Sequence, residues 1–184
     1  MTTPQYLGRS LNDVGLAAWF GGSLMGAAGL NEAAAREASS DQAAAVASAG
    51  WGRWTPINAA AIASQLTGAA LLTFGNKGRL VQQRGVGTAA AMKLGLTVAA
   101  LAATGYARVL GKRVESGQGT PAEGGVVPTA GTAPDVAKAQ RQLAALQWAI
   151  PAMTGGMLIC DSVLGEQQRL TEVATGIFGR LVQG

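Results

Sequence analysis

Three sulfur-bearing side chains share one face of a helix in the last third of the chain. Met153, Met157 and Cys160 stand at i, i+4 and i+7, a spacing that places them on one helical face. Soft sulfur ligands select Cu(I), so a copper site is one interpretation, with Met92 or Met25 as a further ligand. Methionine in an apolar helix more often fills gaps in the packing. We favour packing and predict no metal and no cofactor.

A second set of candidate residues is charged. Lys93 lies inside the run MKLGLTVAALAATGYAR, which Arg108 closes. A long basic side chain can lie along apolar surface and place its charge at an interface. Our leading interpretation is therefore that Lys93 and Arg108 are anchors at the two ends of a membrane span. The alternatives are an intramembrane ion pair of Lys93 with Asp13 or Asp161, or a transport or proton-relay role for the same residues.

The sequence gives little support for catalysis. The chain contains no histidine and one cysteine, so it lacks the commonest general base and metal ligand and cannot form an internal disulfide. The stretch GVGTAAAMK lacks the spacing and the preceding strand of a phosphate-binding loop. We predict no catalytic residues and no enzymatic activity.

The distribution of charge indicates where the chain resides. Of the 184 residues, 48% are hydrophobic and 13% are charged, against about a quarter charged in an average soluble domain. No charge occurs in residues 14–31, 54–76, 94–107 or 142–160. A helix that spans a bilayer needs about 20 mostly apolar residues, whereas a soluble helix shows charges on its solvated face. The windows favour membrane spans.

These windows predict an all-α, integral membrane four-helix bundle with a C-terminal amphipathic helix, in one domain. The predicted spans are residues 11–30, 56–75, 87–110 and 139–162. The first span could also be a cleaved secretory signal, but we expect it to stay in place. The Gly-, Pro- and Thr-rich residues 114–135 predict a flexible loop, and the helical spacing of apolar residues in 164–182 predicts the amphipathic helix.

The segments between the first two spans have their own signals. Residues 31–50 are rich in alanine, which favours helix, and we expect a helical extension that Gly50 ends. Trp51 and Trp54 flank Arg53 directly before the second span, and this arrangement is typical of an aromatic belt at the headgroup level. A basic turn at residues 76–85 then leads to the third span.

Small residues recur at four-residue spacing, as they do where membrane helices approach closely. The stripes are Ala18, Gly22 and Gly26 in the first span, Ser64 and Gly68 in the second, and Gly95, Ala99 and Ala103 in the third. They predict helix packing within one chain or between copies.

The basic residues indicate partners and orientation. The formal net charge is +4, but the Lys and Arg residues flank the apolar windows and do not gather on one face, so we expect lipid and no nucleic acid as a partner. Positive charge is equal on the two sides of the predicted membrane. The dense basic turn at residues 76–85 favours a multi-pass protein of the cell membrane with both termini in the cytoplasm.

Two segments carry a resemblance to known proteins. LAAWFGGSLMGAAGL and AAAMKLGLTVAALAATGYARVLGKRV resemble small four-span membrane proteins of actinobacteria that have no assigned function. They are also faintly similar to the domain-of-unknown-function family related to the copper-resistance D proteins. The matching positions are Trp19, Gly21, Gly22, Lys93, Tyr106 and Arg108. The resemblance covers about a third of the chain, and it implies a four-span membrane protein and no activity.

Three hypotheses for function follow. The first is a non-enzymatic accessory or structural subunit that packs with itself or with a larger membrane complex. The second is a transporter of a small solute or of Cu(I), using Lys93, Asp13, Asp161 and the sulfur face. The third is a soluble, Ala-rich helical interaction module.

Overall fold

The computed structural model describes residues 3–75, 86–116, 122–123 and 126–182, with side chains described in 5–75, 87–116 and 126–166. This part of the chain is almost entirely helical, which confirms the all-α prediction. The elements are α1 (Thr3–Met25), a π-helical turn (Gly26–Leu30), α2 (Asn31–Ala35), α3 (Ser40–Gly75), α4 (Val86–Ser116), β1 (Ala122–Glu123), β2 (Val127–Pro128) and α5 (Pro134–Val182). The predicted basic turn at residues 76–85 lies outside the described residues.

The helix α3 is longer than the sequence predicts. Ser39 caps it, since its hydroxyl accepts a hydrogen bond from the backbone N–H of Gln42 at 3.3 Å, as an N-cap residue does. The helix then runs without a break through Gly50 and Pro56, so the expectation that Gly50 ends a helix is wrong. A side chain at Gly50 would overlap Leu30. This glycine therefore allows α3 to approach the end of the π-helical turn.

The segment between α4 and α5 contains two short paired strands. The strands β1 and β2 pair antiparallel, with Ala122 opposite Pro128 and Glu123 opposite Val127. The helix α4 continues to Ser116 and α5 begins at Pro134, so the loop is shorter than the predicted residues 114–135. Part of the predicted loop, residues 117–121 and 124–125, lies outside the described residues.

The last helix joins two elements that the sequence predicts separately. α5 covers residues 134–182 as one helix of 49 residues, about 74 Å long at 1.5 Å per residue. It includes the predicted fourth span and the predicted C-terminal helix with no interruption, even at Pro151. Side chains of α5 are described only up to residue 166. The predicted amphipathic character of residues 164–182 therefore lies almost entirely outside the described side chains.

Helices that pack against each other run in opposite directions. α1 packs against both α3 and α5, and α4 packs against α5. Where the four helices meet, a core forms from Leu16 and Trp19 of α1, Ala61 of α3, Ala100 of α4, and Ile150 and Met157 of α5. A smaller cluster of Leu110, Ala139 and Leu143 extends the contact between α4 and α5.

Glycine makes the contact between α1 and α3 unusually close. A Cβ at Gly15 would overlap the backbone of α3 at Ala61, and a Cβ at Gly68 would overlap the backbone of α1 at Asn12. Ser64 strengthens this contact by donating its hydroxyl hydrogen bond to the carbonyl of Leu11 at 2.9 Å. Close backbone approach of this kind is what small residues permit.

The two tryptophans of α3 complete the same interface. The Trp54 ring lies where a side chain on Gly22 would be, and the Trp51 ring lies where a side chain on Gly26 would be. Both indoles are half-buried, and the Trp51 Nε1 donates to Asn31 Oδ1 at 3.1 Å. Glycines on α1 therefore offer these rings a place between the helices, and the position of the two tryptophans at the headgroup level stays a prediction.

The predicted small-residue stripes differ in how far they pack against other helices. Residues of the first and second stripes lie in the interface between α1 and α3: Gly22 and Gly26 face the two tryptophans, and Gly68 faces Asn12. The stripe of the third span is largely open: nothing lies within 4 Å of a Cβ on Gly95, and Ala99 is exposed. Of that stripe, Ala103 packs against the core.

Three helices of the described part are long and apolar enough to cross a membrane, judged by length and composition alone. They are Ser40–Gly75, Gly87–Ser116 and Pro134–Glu166. The helix that holds the first predicted span is not among them. Its first half carries Arg9, Asn12 and Asp13, and these polar residues dilute the apolar run that follows. The structure therefore fits a small membrane protein with three clear candidate spans.

Candidate functional site

Lys93 does not point outward; it lies among polar groups of two neighbouring helices. Its Nζ is 2.5 Å from Asp161 Oδ1 and 2.9 Å from Asn12 Oδ1. The Lys93 and Asp161 side chains are only 12% and 21% exposed, and Asn12 is buried. The leading interpretation of Lys93 as an interfacial anchor is therefore wrong.

The three groups form a closed ring of hydrogen bonds. Lys93 donates to both Asp161 and Asn12, and the Asn12 Nδ2 donates to the second carboxylate oxygen of Asp161, Oδ2, at 2.9 Å. Hydrogen bonds that involve ionised groups are stronger than neutral ones. The ring therefore offsets much of the cost of holding a lysine and an aspartate away from water.

Antiparallel packing explains how the ring assembles from distant parts of the sequence. Lys93 lies seven residues into α4, and Asp161 lies near the end of the candidate span on α5. Because α4 and α5 run in opposite directions, these two positions reach the same depth. The helix α1 passes beside α5 at that depth and contributes Asn12.

Asp13 joins the cluster from its edge. It is exposed, and its Oδ1 accepts a hydrogen bond from Asn12 Nδ2 at 2.9 Å. No ion pair joins it to Lys93 among the residues whose side chains are described. Of the two carboxylates that the sequence offers to Lys93, the structure brings Asp161 into direct contact and links Asp13 only through Asn12.

Asn12 is not among the site residues predicted from the sequence, although its helical spacing with other buried residues is a signal for it. Asn12, Leu16, Trp19 and Ser23 follow one another at i, i+4, i+7 and i+11, and all four are buried. This is the spacing of a helix face that packs inward. A buried polar residue on such a face requires a hydrogen-bonding partner, and Asp161 and Lys93 supply it.

Arg108, the second predicted anchor, also has a neighbour. Its Nη1 lies 3.9 Å from Glu115 Oε1, and both side chains are about a third or more exposed. Glu115 additionally accepts a hydrogen bond from the Ser48 hydroxyl at 3.1 Å, which connects α4 to α3. Exposed pairs at this distance contribute little to stability, so the two basic residues of the third span differ sharply in setting.

The sulfur face lies in the protein interior and its members have packing roles. Met157 is fully buried, and its Sδ is 3.8 Å from the Thr97 hydroxyl. Cys160 is buried, and Met153 packs against the core. The two methionines suggested as further ligands, Met25 and Met92, are 66% and 59% exposed and do not join this face. Among the described residues no group of three or more His, Cys, Asp or Glu side chains could hold a metal ion.

The chemistry of the ring is that of a closed, neutral unit. One positive and one negative charge are joined directly and bridged by an amide, so both Asp161 oxygens and the Asn12 oxygen have partners. The hydroxyl of Thr97 donates to the Lys93 backbone carbonyl at 2.8 Å, which links the ring to the core one turn further along α4. Such an arrangement holds three helices at a fixed depth relative to one another.

Comparisons of the chain with protein-family models, with curated proteins and with solved structures find no match. They leave the resemblance drawn from the first and third predicted spans as a prediction.

Proposed function

We propose that the protein is a small, non-enzymatic integral membrane protein that acts as an accessory or structural subunit, by packing with itself or with another membrane protein. The observation that carries this proposal is the surface of the helices. In the most apolar 18-residue window of the three candidate spans, 22%, 17% and 33% of the residues are buried inside the protein. Most residues of these apolar windows are therefore at least partly exposed.

The outward faces are large and carry few charges. Exposed apolar residues occur on every helix that would contact lipid: Val14 and Met25 on α1, Ile57 and Phe74 on α3, Leu94, Val98 and Val109 on α4, and Trp148 and Ile159 on α5. Soluble monomers rarely expose contiguous apolar patches of more than a few hundred Å². A bilayer and protein partners within it would cover these faces, which is why the soluble-module hypothesis is the weaker one.

The packing of α1 supports a fourth span. Gly8 at one end of α1 contacts Leu71, and Gly26 beyond its other end contacts Trp51. α1 therefore accompanies α3 along most of the length of α3. If α3 crosses the bilayer, α1 lies at the same depth and crosses it in the opposite direction.

Cysteine labelling from the two sides of the membrane tests this topology. Tyr6 and Glu37 are both exposed. Tyr6→Cys and Glu37→Cys are made singly in a Cys160→Ala background. Each variant is treated with a membrane-impermeant maleimide in sealed vesicles of each orientation. Four spans predict that the two positions react from opposite sides. Reaction of both from the same side would mean that α1 does not cross.

Co-purification and mass measurement test the accessory role. A mild-detergent pull-down of the tagged chain should recover a second tagged copy or a defined membrane protein at constant stoichiometry. A strictly monomeric chain with no stoichiometric companion, in vesicles and in detergent, would contradict the role.

A transporter is the second candidate, and the ring around Lys93 is the observation that favours it. Ionisable residues within spans often mark an ion or proton pathway. Neutralising Lys93 or Asp161 in a transporter would abolish flux in proteoliposomes while the purified protein stayed folded. The closed hydrogen bonding of the ring favours the structural role instead.

A further inference from the structure

A cavity separates α3 from α4 in the half of the protein remote from Lys93. Its volume is about 980 Å³, and α3, α4 and α5 line it, with Ser23 of α1 also in its wall. This volume lies at the upper end of the range for small-molecule sites, roughly 300–1,000 Å³. The wall is mostly apolar and includes Ile62 and Ile150 at the inner end.

Four polar groups in the cavity wall lack partners. Asn58 Oδ1, Thr104 Oγ1, Gln140 Oε1 and Trp54 Nε1 are buried with no hydrogen bond within the described part of the chain. Asn58 is 9% exposed and Gln140 is 1% exposed. Buried polar groups in proteins nearly always have a partner. The set combines acceptors on the amides, a donor on the indole, and a hydroxyl that does both.

All four atoms have almost no accessible surface, but the two amide groups are able to turn. The terminal torsion of an Asn or Gln side chain is broad and roughly two-fold, so a half-turn exchanges the oxygen and nitrogen positions. An occupant with hydroxyl groups would thereby satisfy Asn58 and Gln140.

The charges on the wall limit the kind of polar group that fits. The charged residues of the cavity wall are Asp41, Arg108 and Glu115, which sum to −1. The Arg108 guanidinium already faces Glu115 at 3.9 Å. An anionic headgroup would therefore meet net repulsion, and a neutral one would not.

We propose that this cavity is a binding site for a neutral amphiphilic lipid, with one hydrocarbon chain and a hydroxyl-bearing polar end. The apolar wall suits the chain, and the unpartnered amides of Asn58 and Gln140 suit the hydroxyls. A helix from a second copy fits less well, since its backbone groups are already hydrogen-bonded to one another. The proposal rests on the membrane location but not on the accessory role.

Two cavity tryptophans allow the binding to be measured directly. Trp51 and Trp54 line the cavity, Trp19 is buried in the core, and Trp148 is 58% exposed outside it. In a Trp148→Phe background in mild detergent, the protein is titrated with a monoacylglycerol that carries a dibrominated chain, which quenches indole fluorescence on contact. We expect quenching that saturates, removes more than half of the signal, and reverses when unbrominated monoacylglycerol is added.

Glycines on α4 provide matched variants. Gly105 and Gly111 line the cavity, and a Cβ on either meets nothing within 4 Å; the same is true of Gly95, which does not line the cavity. Gly105→Leu and Gly111→Leu should add apolar bulk to the cavity and weaken the apparent affinity about tenfold or more. Gly95→Leu should leave the affinity unchanged. Circular dichroism of each variant checks that the fold is intact, and either cavity variant suffices if the other does not fold.

The preference of the cavity for a neutral polar group is measured separately. A dibrominated fatty acid, anionic at neutral pH, should bind about tenfold or more weakly than the monoacylglycerol. Tighter binding of the fatty acid would overturn the choice of a neutral polar group.

Other outcomes would overturn the proposal as a whole. Quenching that rises linearly without saturation, or that is the same in the Gly105→Leu and Gly95→Leu variants, would mean that lipid only surrounds the protein. A dimer that Gly105→Leu dissociates, with no saturable quenching, would mean that a second copy fills the cavity. Because these experiments use detergent solution, their failure is distinct from failure of the topology or of the accessory role.

Discussion

Replacing Lys93 by methionine should destabilise the protein because it leaves Asp161 without its counter-charge. Lys93→Met keeps the length and apolar character of the side chain but removes the hydrogen bonds of the ammonium to Asp161 and Asn12. Removing one partner of a fully buried pair costs about 3–5 kcal/mol. The two side chains retain 12% and 21% exposure, which places the expected loss nearer to about 2–3 kcal/mol. Asp161→Asn should cost a similar amount, since it leaves the ammonium unpaired.

The double variant distinguishes an interaction between the two residues from two separate effects. Lys93→Met combined with Asp161→Asn removes both charges, and the amide at position 161 retains the shape that Asn12 contacts. We therefore expect the double variant to be more stable than the sum of the single losses predicts, by about 1–3 kcal/mol. Thermal unfolding in mild detergent, followed by intrinsic fluorescence, measures this difference. Each single change should lower Tm by about 4–12 °C for a chain of this size.

An exposed pair on the same helix serves as the control. The cycle Arg108→Met with Glu115→Gln should give a coupling of at most about 1 kcal/mol, since both groups are about a third or more exposed and lie 3.9 Å apart. Strict additivity in the Lys93 cycle, or a stabilising effect of Lys93→Met alone, would refute the assignment of this pair as a structural link between helices.

Further predictions concern packing and capping. Gly15→Leu should abolish the folded state, since any side chain there overlaps the α3 backbone, whereas Gly21→Leu, with open space around it, should fold normally by circular dichroism. Ser39→Ala should cost about 0.5–2 kcal/mol in thermal unfolding through loss of the α3 cap, and an equal loss from Ser40→Ala, at the next position, would contradict the capping role. Met157→Leu should cost under about 1.5 kcal/mol while Met157→Ala costs about 2–5 kcal/mol, and equal losses would show that the sulfur rather than the volume matters.

The sequence carries enough information to predict the helices and their apolar character. The uncharged windows fall on α1, α3, α4 and α5, because a polypeptide has only a few ways to satisfy its backbone hydrogen bonds when its side chains are apolar. The ends of the helices are less predictable. Gly50 and Pro56 usually mark boundaries, but here they lie inside α3, where Leu30 packs against Gly50.

The sequence of α4 alone does not show whether the Lys93 side chain points outward or inward. An outward and an inward lysine have the same neighbours in sequence, and the choice depends on what α1 and α5 bring to its depth. Two residues decide it: Asp161, which the spacing of the spans places at the right depth, and Asn12, whose amide closes the ring. The sequence signals the second only through the helical spacing of Asn12 with Leu16, Trp19 and Ser23.

The positions of Trp51 and Trp54 show a similar limit. Tryptophan beside arginine before an apolar run predicts an interfacial belt. In the structure, Gly22 and Gly26 leave gaps on α1 that accept the two rings. The glycines and tryptophans are far apart in the chain, so only the antiparallel register of α1 and α3 relates them.

Extraction of native membranes with alkaline carbonate is the most direct measurement of the central claim, which is that the outward apolar faces of these helices are covered by lipid. We predict that the chain stays in the pellet and enters solution only with detergent. Release into the carbonate supernatant, followed by monodisperse behaviour in buffer without surfactant, would contradict the membrane location.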